Sequence, residues 1–264
     1  SINDTDQTID EAARVPVAVS VNNNIPDVLE FVGFNFTSPS DCVQFENRMR
    51  NPKASRVTLL DFASRGSITP GEFHGNLWLS MRIVCEPVGG EIVINPTMSF
   101  SITDANHHIE LATQSFVLKI RSTASLIAQS RYFTEDGDQL GRGPLPPKTG
   151  ETTKVWVFVE LGNRLGTLLK PTFSAKLADH VRWTGRSNVT AGKSINFNSQ
   201  KNLVSWKHNS IGHSERITLG FELEVTPESD GLHPLLHSIS LIGRDRSTGE
   251  ELSLSAPSVS TPTQ

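Results

Sequence analysis

The strongest constraint on the fold is an alternation of apolar and polar side chains with a period of two. In residues 217–225 every second residue is apolar, and Thr218, Glu222 and Glu224 lie between the apolar positions. Successive side chains of a β-strand point to opposite faces of a sheet, so this pattern predicts a strand with one buried and one solvated face. A helix of the same sequence would scatter its apolar side chains around its circumference.

The same alternation recurs along the whole chain in short runs. Clusters of Pro, Gly, Asn and Ser separate the runs at residues 22–26, 87–90 and 226–231, and these residue types favour turns. Many short strands joined by turns are typical of β-sandwiches, so we expect an all-β fold with little helix. The alternating runs lie at residues 15–21, 56–62, 77–84, 91–94, 98–102, 109–112, 115–120, 154–161 and 236–242.

The length of the chain predicts two domains. Its 264 residues suit two sandwiches of roughly 100–150 residues each. The predicted boundary is the segment at residues 121–153, whose Gly- and Pro-rich part at 137–150 disfavours regular ladders. We interpret residues 125–133 as a first strand or lead-in of the second domain, so we place the domain break near residues 121–124. We therefore expect two immunoglobulin-like antiparallel β-sandwich domains in tandem. Their predicted bounds are a flexible N-terminal arm at 1–14, an N-terminal sandwich at 15–122 and a C-terminal immunoglobulin-like sandwich at 123–264.

Composition and charge exclude several classes of protein. Hydrophobic residues make up 36% of the chain, which supports packed cores, but no run approaches the roughly 20 apolar residues of a membrane-spanning helix. A formal net charge of −4 gives no broad basic field for nucleic acid. The chain begins at Ser1 without an initiator Met, as expected after removal of a leader. We therefore expect a secreted or cell-surface protein without a membrane span or a nucleic-acid partner.

Cys42 and Cys85 are the only two cysteines. One interpretation is a disulfide that closes a loop of about 40 residues and stabilises the first domain. The alternative is a pair of buried thiols. An even number of cysteines in an exported chain favours the disulfide.

Several segments of the second half resemble a known family. They include the Gly-, Pro- and Thr-rich residues 141–153 and the strand that follows them at 154–161. With these segments, residues 130–262 resemble an immunoglobulin-like repeat of exported cell-surface proteins of candidate-phyla-radiation bacteria. They are also similar, more loosely, to repeat and adhesion domains of bacterial surface layers and adhesins. The resemblance implies a β-sandwich at the cell surface and carries over no catalytic residues. The other matching segments lie at residues 173–185, 195–197, 202–206, 221–227 and 245–250.

Sequence motifs for catalysis are missing. The chain contains no Gly-x-Ser-x-Gly elbow, no His-Glu-x-x-His and no phosphate-binding glycine loop. His107 and His108 are adjacent and would point to opposite faces of a strand. His233 and His237 would converge only on a helix, which Pro234 disfavours. We expect these histidines to be satisfied or solvated, and we expect no enzymatic activity and no cofactor. A triad assembled from distant positions is the alternative.

Two acidic runs carry the oxygen ligands that Ca²⁺ prefers. One lies at residues 3–6 with Asp10 and Glu11, and the other at residues 135–138, where Asp136 and Asp138 are the candidate ligands. Neither run completes a calcium-loop signature, so a solvated loop is the alternative interpretation.

Val15, Val17, Val19 and Val21 form a ladder of valines near the N-terminus. Pro16 lacks a backbone N–H and favours an edge position in a sheet. Such a strand could complete the sheet of a neighbouring subunit and so build a filament or lattice. The alternative is that it packs as the first strand of its own domain.

The four tryptophans divide into two groups. We expect Trp183 and Trp206 in the core of the second sandwich, with surface stacking on carbohydrate as the alternative. Exposed Trp78 or Trp156 could form a platform for a carbohydrate or other ligand. The sequence therefore favours a noncatalytic extracellular structural protein, a surface-layer or filament subunit that self-assembles or binds other surface proteins. The alternative is an adhesin or carbohydrate-binding module.

Overall fold

The computed structural model describes residues 7–9, 12–24, 26, 29–45, 54–58, 67–68, 70–102, 107–229 and 231–262. The chain divides into two compact units, Ser1–Arg121 and Ser122–Gln264. Within the described residues, strands dominate and the helical content is a single 3-10 turn at Val88–Gly90. None of the described helical structure is long and apolar enough to cross a membrane.

Among its described residues, the first unit contains ten strands arranged in two sheets. They are β1 (Gln7–Ile9), β2 (Ala12–Asn23), β3 (Leu29–Thr37), β4 (Val43–Phe45), β5 (Ala54–Thr58), β6 (Ser67–Ile68), β7 (Gly71–Ile83), β8 (Glu91–Ile102), β9 (His107–Ala112) and β10 (Phe116–Ile120). One sheet has the order β1-β10-β8-β3-β5, with β6 beside β3 and β9 beside β8. The other has the order β2-β7-β4. All pairings are antiparallel except that of β1 with β10.

Each sheet of the first unit buries one face. Along β8, exposure alternates from residue to residue, as the period-two pattern predicts. The buried side chains of this core include Val15, Val17, Val19, Phe34, Phe36, Leu79, Met81, Ile83, Ile92, Ile94, Phe100, Leu118 and Ile120.

Parts of the N-terminal segment lie in strands. Gln7–Ile9 pairs in parallel with Leu118, Lys119 and Ile120, and β2 begins at Ala12. The flexible arm at residues 1–14 stays a prediction.

The part of the second unit that the structure describes contains eleven strands in two sheets. They are β11 (Ala124–Arg131), β12 (Thr153–Asn163), β13 (Leu168–Leu177), β14 (Val181–Val189), β15 (Asn196–Asn198), β16 (Leu203–Lys207), β17 (Ser210–Ile211), β18 (Glu215–Val225), β19 (Pro234–Asp245), β20 (Glu251–Ala256) and β21 (Val259–Ser260). One sheet has the order β11-β12-β18-β14. The other has the order β15-β16-β13-β19-β20, with β17 beside β13 and β21 beside β19.

The core of the second unit is formed by residues of both its sheets. From the four-stranded sheet, Val157 and Phe221 are fully buried, and from the other sheet Phe173, Trp206 and Leu241 meet them in one cluster. The burial of one row of side chains from each of two sheets defines a sandwich. The prediction of an all-β fold with two β-sandwich units of mainly antiparallel strands is confirmed. Whether the domains have the independent bounds 15–122 and 123–264 stays a prediction.

Candidate assembly and ligand sites

A disulfide joins Cys42 and Cys85, with an S–S distance of 1.93 Å. It connects the start of β4 to the end of β7, where the amide of Val84 also donates to the carbonyl of Cys42 at 2.9 Å. The predicted pairing is therefore present, and the alternative of two thiols is wrong. Because the bond closes a loop across 43 residues of sequence, it restricts the unfolded chain of the first unit.

The valine ladder packs inside its own unit. Val15, Val17 and Val19 are each 3% exposed and Val21 is 8% exposed. β2 pairs with β7 along its entire length of twelve residues. β2 thus packs as a strand of its own domain, which was the alternative interpretation of the sequence. Assembly through β2 stays a proposal, and it concerns the edge of β2 that does not pair with β7.

β2 is an end strand, because the order of its sheet is β2-β7-β4. It is the longest of the described end strands: β14 has nine residues, β11 eight, β20 six and β5 five. The end strands β1, β4 and β15 have three residues each. Arg14 is the only charged residue of β2. Long end strands of low charge are the ones that pair readily with another chain.

Both edge strands of the four-stranded sheet in the second unit carry features that hinder pairing with another chain. β14 contains a register shift between Trp183 and Ser187, and such bulges interrupt pairing. β11 contacts β20 and β21, and the hydroxyl of Ser130 donates to the carbonyl of Ser260 at 2.6 Å. In β2, Pro16 lacks a backbone donor, and the strand contacts β1, but its pairing with β7 has no register shift.

The calcium candidates Asp136 and Asp138 lie in a hairpin turn. The amide of Thr134 donates to the carbonyl of Asp138 at 2.7 Å, and the Thr134 hydroxyl accepts from the amide of Asp138 at 2.9 Å. In the part of the chain that the structure describes, no group of three or more His, Cys, Asp and Glu side chains is arranged to hold a metal ion. The turn therefore gives the calcium assignment no support. The other acidic run, at residues 3–6 with Asp10 and Glu11, lies outside the described residues.

The tryptophans occupy different environments. Trp206 is 1% exposed, and its indole N–H donates to the carbonyl of Ala191 at 3.1 Å. Trp183 is half-buried and stacks on Phe197 with a centroid distance of 5.8 Å.

Trp78 is 54% exposed, and the guanidinium of Arg14 lies 5.2 Å from the centre of the Trp78 ring. Trp156 is half-buried. Trp78 is therefore the tryptophan with a surface open to a ligand, although Arg14 already covers part of it.

A cavity of about 610 Å³ in the second unit is lined by Lys170, Lys193, Lys207 and His208. Backbone hydrogen bonds hold these residues together. The amide of Lys170 donates to the carbonyl of Asn209 at 2.7 Å, and the amide of Lys193 donates to the carbonyl of Lys207 at 3.3 Å. No described residue that lines the cavity carries a carboxylate. No local sequence pattern predicts this cluster, because its lysines come from separate segments of the chain.

The histidine pairs behave differently from the sequence prediction. His237 lies on β19 opposite Lys176, whereas His233 is packed against His180, with ring centroids 5.8 Å apart. The Nε2 atom of His233 is buried and has no hydrogen-bond partner within the described residues. The expectation that His233 is satisfied or solvated is therefore wrong. The side chain of His107 lies outside the described residues.

Asp245 organises the turn between β19 and β20. Its side chain is buried, and it accepts hydrogen bonds from the amides of Ser122, Ser247 and Thr248 and from the Ser247 hydroxyl. Burial by itself raises the pKa of this carboxyl, but the four hydrogen bonds together outweigh it and leave the pKa below its ordinary value. Asp245 thereby fixes Ser122, where the chain enters the second unit.

Comparisons with known proteins give structural similarity at low sequence identity. No protein-family model matches the chain, and no curated protein matches it. The full-length major pilin SpaD of Corynebacterium diphtheriae is 10% identical, with a TM-score of 0.39 over 88% of this chain and 59% of the pilin. The major pilin subunit BcpA of Bacillus cereus is 8% identical, with a TM-score of 0.35 over 94% of this chain and 69% of the other. The collagen adhesin of S. aureus is 11% identical, with a TM-score of 0.29 over 98% and 92%.

Similarity at this level assigns neither a family nor a function. The resemblance of residues 130–262 to the immunoglobulin-like repeat of candidate-phyla-radiation bacteria stays a prediction.

Proposed function

We propose that this chain is a noncatalytic structural protein of the cell surface, and that copies of it assemble by pairing the open edges of β2. The observation that carries the proposal is the position of β2, which is the longest described end strand and ends the sheet β2-β7-β4. Two copies related by a two-fold axis would join their three-stranded sheets into one continuous sheet.

The orientation of the β2 backbone supports this pairing. Pro16 has no N–H to donate to β7, so its backbone nitrogen faces the open edge of β2 and not β7. Backbone groups two residues apart along a strand point the same way, and the pairing of β2 with β7 has no register shift. Ala18 and Asn22 therefore direct their N–H groups toward the open edge, where a second strand can accept them.

A paired β2 edge closes a dimer, and a second contact would extend the dimer into a layer or filament. The Cys42–Cys85 disulfide supports an extracellular location, since disulfides persist in oxidising compartments. We place the protein outside the cell on this ground.

The test is a comparison of self-association in the full-length chain and two variants of Ala18. Ala18→Pro removes an outward N–H and leaves the ladder with β7 intact. Ala18→Thr keeps the N–H and is the matched control, because β-branched residues suit strands. In sedimentation velocity over a range of concentrations, we expect the parent chain and Ala18→Thr to associate and Ala18→Pro to stay monomeric. A parent chain that is monomeric at every concentration would refute the proposal.

A second candidate function is the binding of an anionic polysaccharide, and the lysine-lined cavity favours it. Three lysines surround this cavity in a chain of net charge −4, and backbone hydrogen bonds hold them in place. Clustered ammonium groups without neighbouring carboxylates repel one another and gain from an anion that lies between them. An adhesin that recognises sulfated or carboxylated glycans would use such a cavity.

Titration with a dextran sulfate oligosaccharide, with neutral dextran as the ligand control, tests this candidate. We expect Lys170→Glu and Lys207→Glu each to weaken binding by about tenfold or more, and added salt to weaken it further. Lys148→Glu, at an exposed loop position, is the matched charge control and should bind as the parent does. Equal loss in all three variants would indicate a general charge effect and would exclude the cavity as the site.

A further inference from the structure

We propose that His180 and His233 form a binding site for one divalent transition-metal ion in the second unit. The proposal is independent of how the chain assembles. It concerns a cavity of about 410 Å³ that is lined by Asp179, His180, Glu228, Ser229 and His233.

The backbone holds both histidines in defined positions. His180 lies in the turn between β13 and β14, where the amide of Val181 donates to the carbonyl of Ala178 at 3.0 Å. His233 precedes β19 and is tied to Thr261, whose hydroxyl accepts from the His233 amide at 3.1 Å. The amide of Thr261 in turn donates to the carbonyl of His233 at 2.8 Å. The two imidazoles are therefore presented by ordered strand ends, which lowers the entropy cost of binding an ion between them.

One nitrogen of each ring lacks a partner among the described residues. The Nε2 atoms of His180 and His233 are both buried and have no hydrogen-bond partner there, and the residue His233 is only 9% exposed. Buried polar atoms are almost always satisfied. Two unsatisfied imidazole nitrogens beside one cavity therefore point to a ligand that accepts both lone pairs.

The spacing of the rings suits a shared metal ion. The ring centroids of His180 and His233 are 5.8 Å apart, at an interplanar angle of 74°. Imidazole nitrogens bind zinc at about 2.0–2.1 Å, so two rings that share one ion have centroids about 5–6 Å apart. Imidazole suits zinc, copper and nickel, and copper binds most tightly of the divalent ions.

The rest of the coordination sphere would be open to water. Asp179 and Glu228 are exposed residues that line the same cavity, and their negative charge favours a cation there. No third His, Cys, Asp or Glu of the described residues joins the two histidines in an arrangement that could hold a metal ion, so the site leaves positions that a solvent molecule or a side chain of another protein can fill. We therefore expect a moderate affinity and a preference for Cu²⁺ over Zn²⁺.

The test uses the untagged full-length chain. Calorimetric titration with Zn²⁺ and with Cu²⁺ should show one ion per chain, and the electron paramagnetic resonance spectrum of the Cu²⁺ form should show coupling to imidazole nitrogen. His180→Gln and His233→Gln should each weaken binding at least tenfold. His108→Gln, at an exposed position of the first unit, is the matched control and should leave both the stoichiometry and the affinity unchanged.

A measurement on the parent chain keeps the proposal testable even if the His233 variant does not fold. In long-range nitrogen-proton NMR spectra, stoichiometric Zn²⁺ should shift the Nε2 resonances of His180 and His233 together and leave that of His108 in place. The proposal is overturned if the parent chain binds no stoichiometric ion. It is equally overturned if the double variant of His180 and His233 binds the ion as tightly as the parent, or if only one of the two resonances responds.

Discussion

Replacing Asp245 with asparagine should destabilise the second unit by about 2–4 kcal/mol at neutral pH. The carboxylate accepts four hydrogen bonds, three at Oδ1 from Ser247 and Thr248 and one at Oδ2 from the amide of Ser122. Asparagine keeps the volume and one acceptor oxygen, but its NH₂ group would face the Ser122 amide as a second donor. Loss of one hydrogen bond to a buried charged group costs about 1.5–3 kcal/mol, and the other three weaken when the charge is removed.

The assay is urea unfolding of the full-length chain followed by tryptophan fluorescence. Three of the four tryptophans, Trp156, Trp183 and Trp206, lie in the second unit, so the emission reports mainly on that unit. Asp136→Asn is the matched control, because Asp136 lies in an exposed turn. Exposed substitutions of this kind change the free energy of unfolding by about 0.5 kcal/mol or less.

Acidification gives the same prediction a second test. The pKa of Asp245 is lower in the folded chain than its ordinary value, so the folded state gains stability from the ionised carboxylate at pH values above the pKa of the unfolded chain. That gain is lost as the pH falls through the folded pKa. The difference between the parent and Asp245→Asn should therefore be complete at neutral pH and should shrink below about pH 4. A difference under about 0.5 kcal/mol at pH 7, or one that does not change with acid, would refute the assigned role.

Two further predictions concern the disulfide and a close glycine contact. Reduction of the Cys42–Cys85 bond, or Cys42→Ser with Cys85→Ser, should destabilise the first unit by about 2–5 kcal/mol in urea unfolding, and an unchanged midpoint under reductant would contradict this. Gly192→Ala should cost about 2–5 kcal/mol, since φ is +84° and the new Cβ would lie 2.7 Å from Trp206. Gly185→Ala, with φ +86° and nothing within 4 Å, should cost only about 1–2 kcal/mol, and equal costs would exclude the Trp206 contact as the cause.

The period-two alternation predicted the strands because it is a local property of the backbone. The apolar residues of the run at 217–225 form the buried face of β18, and Val15, Val17, Val19 and Val21 fill a core as a half-buried strand should. Glu222, expected on the solvated face, is buried instead, with Arg186 as its ion-pair partner at 3.4 Å. Trp206 is likewise buried as expected. These features depend only on which side chains must leave water.

The candidate sites could be predicted only in part, because long-range pairing completes them. Pro16 already favours an edge position for β2, but which strand covers its other side, β7 alone among the described strands, is set by long-range pairing. His180 and His233 are 53 positions apart in the sequence and meet because the end of β13 lies beside the start of β19. The parallel pairing of Gln7–Ile9 with β10 is likewise long-range and has no local sequence signal.

Residue-resolved hydrogen exchange of the β2 amides tests the central claim most directly. If copies of the chain pair through this edge, the amides of Ala18 and Asn22 should exchange freely in the dilute monomer and become protected as concentration rises. Amides of the bulged end strand β14 should show no such dependence. Exchange at Ala18 and Asn22 that stays fast in the associated state would show that assembly, where it occurs, uses another surface.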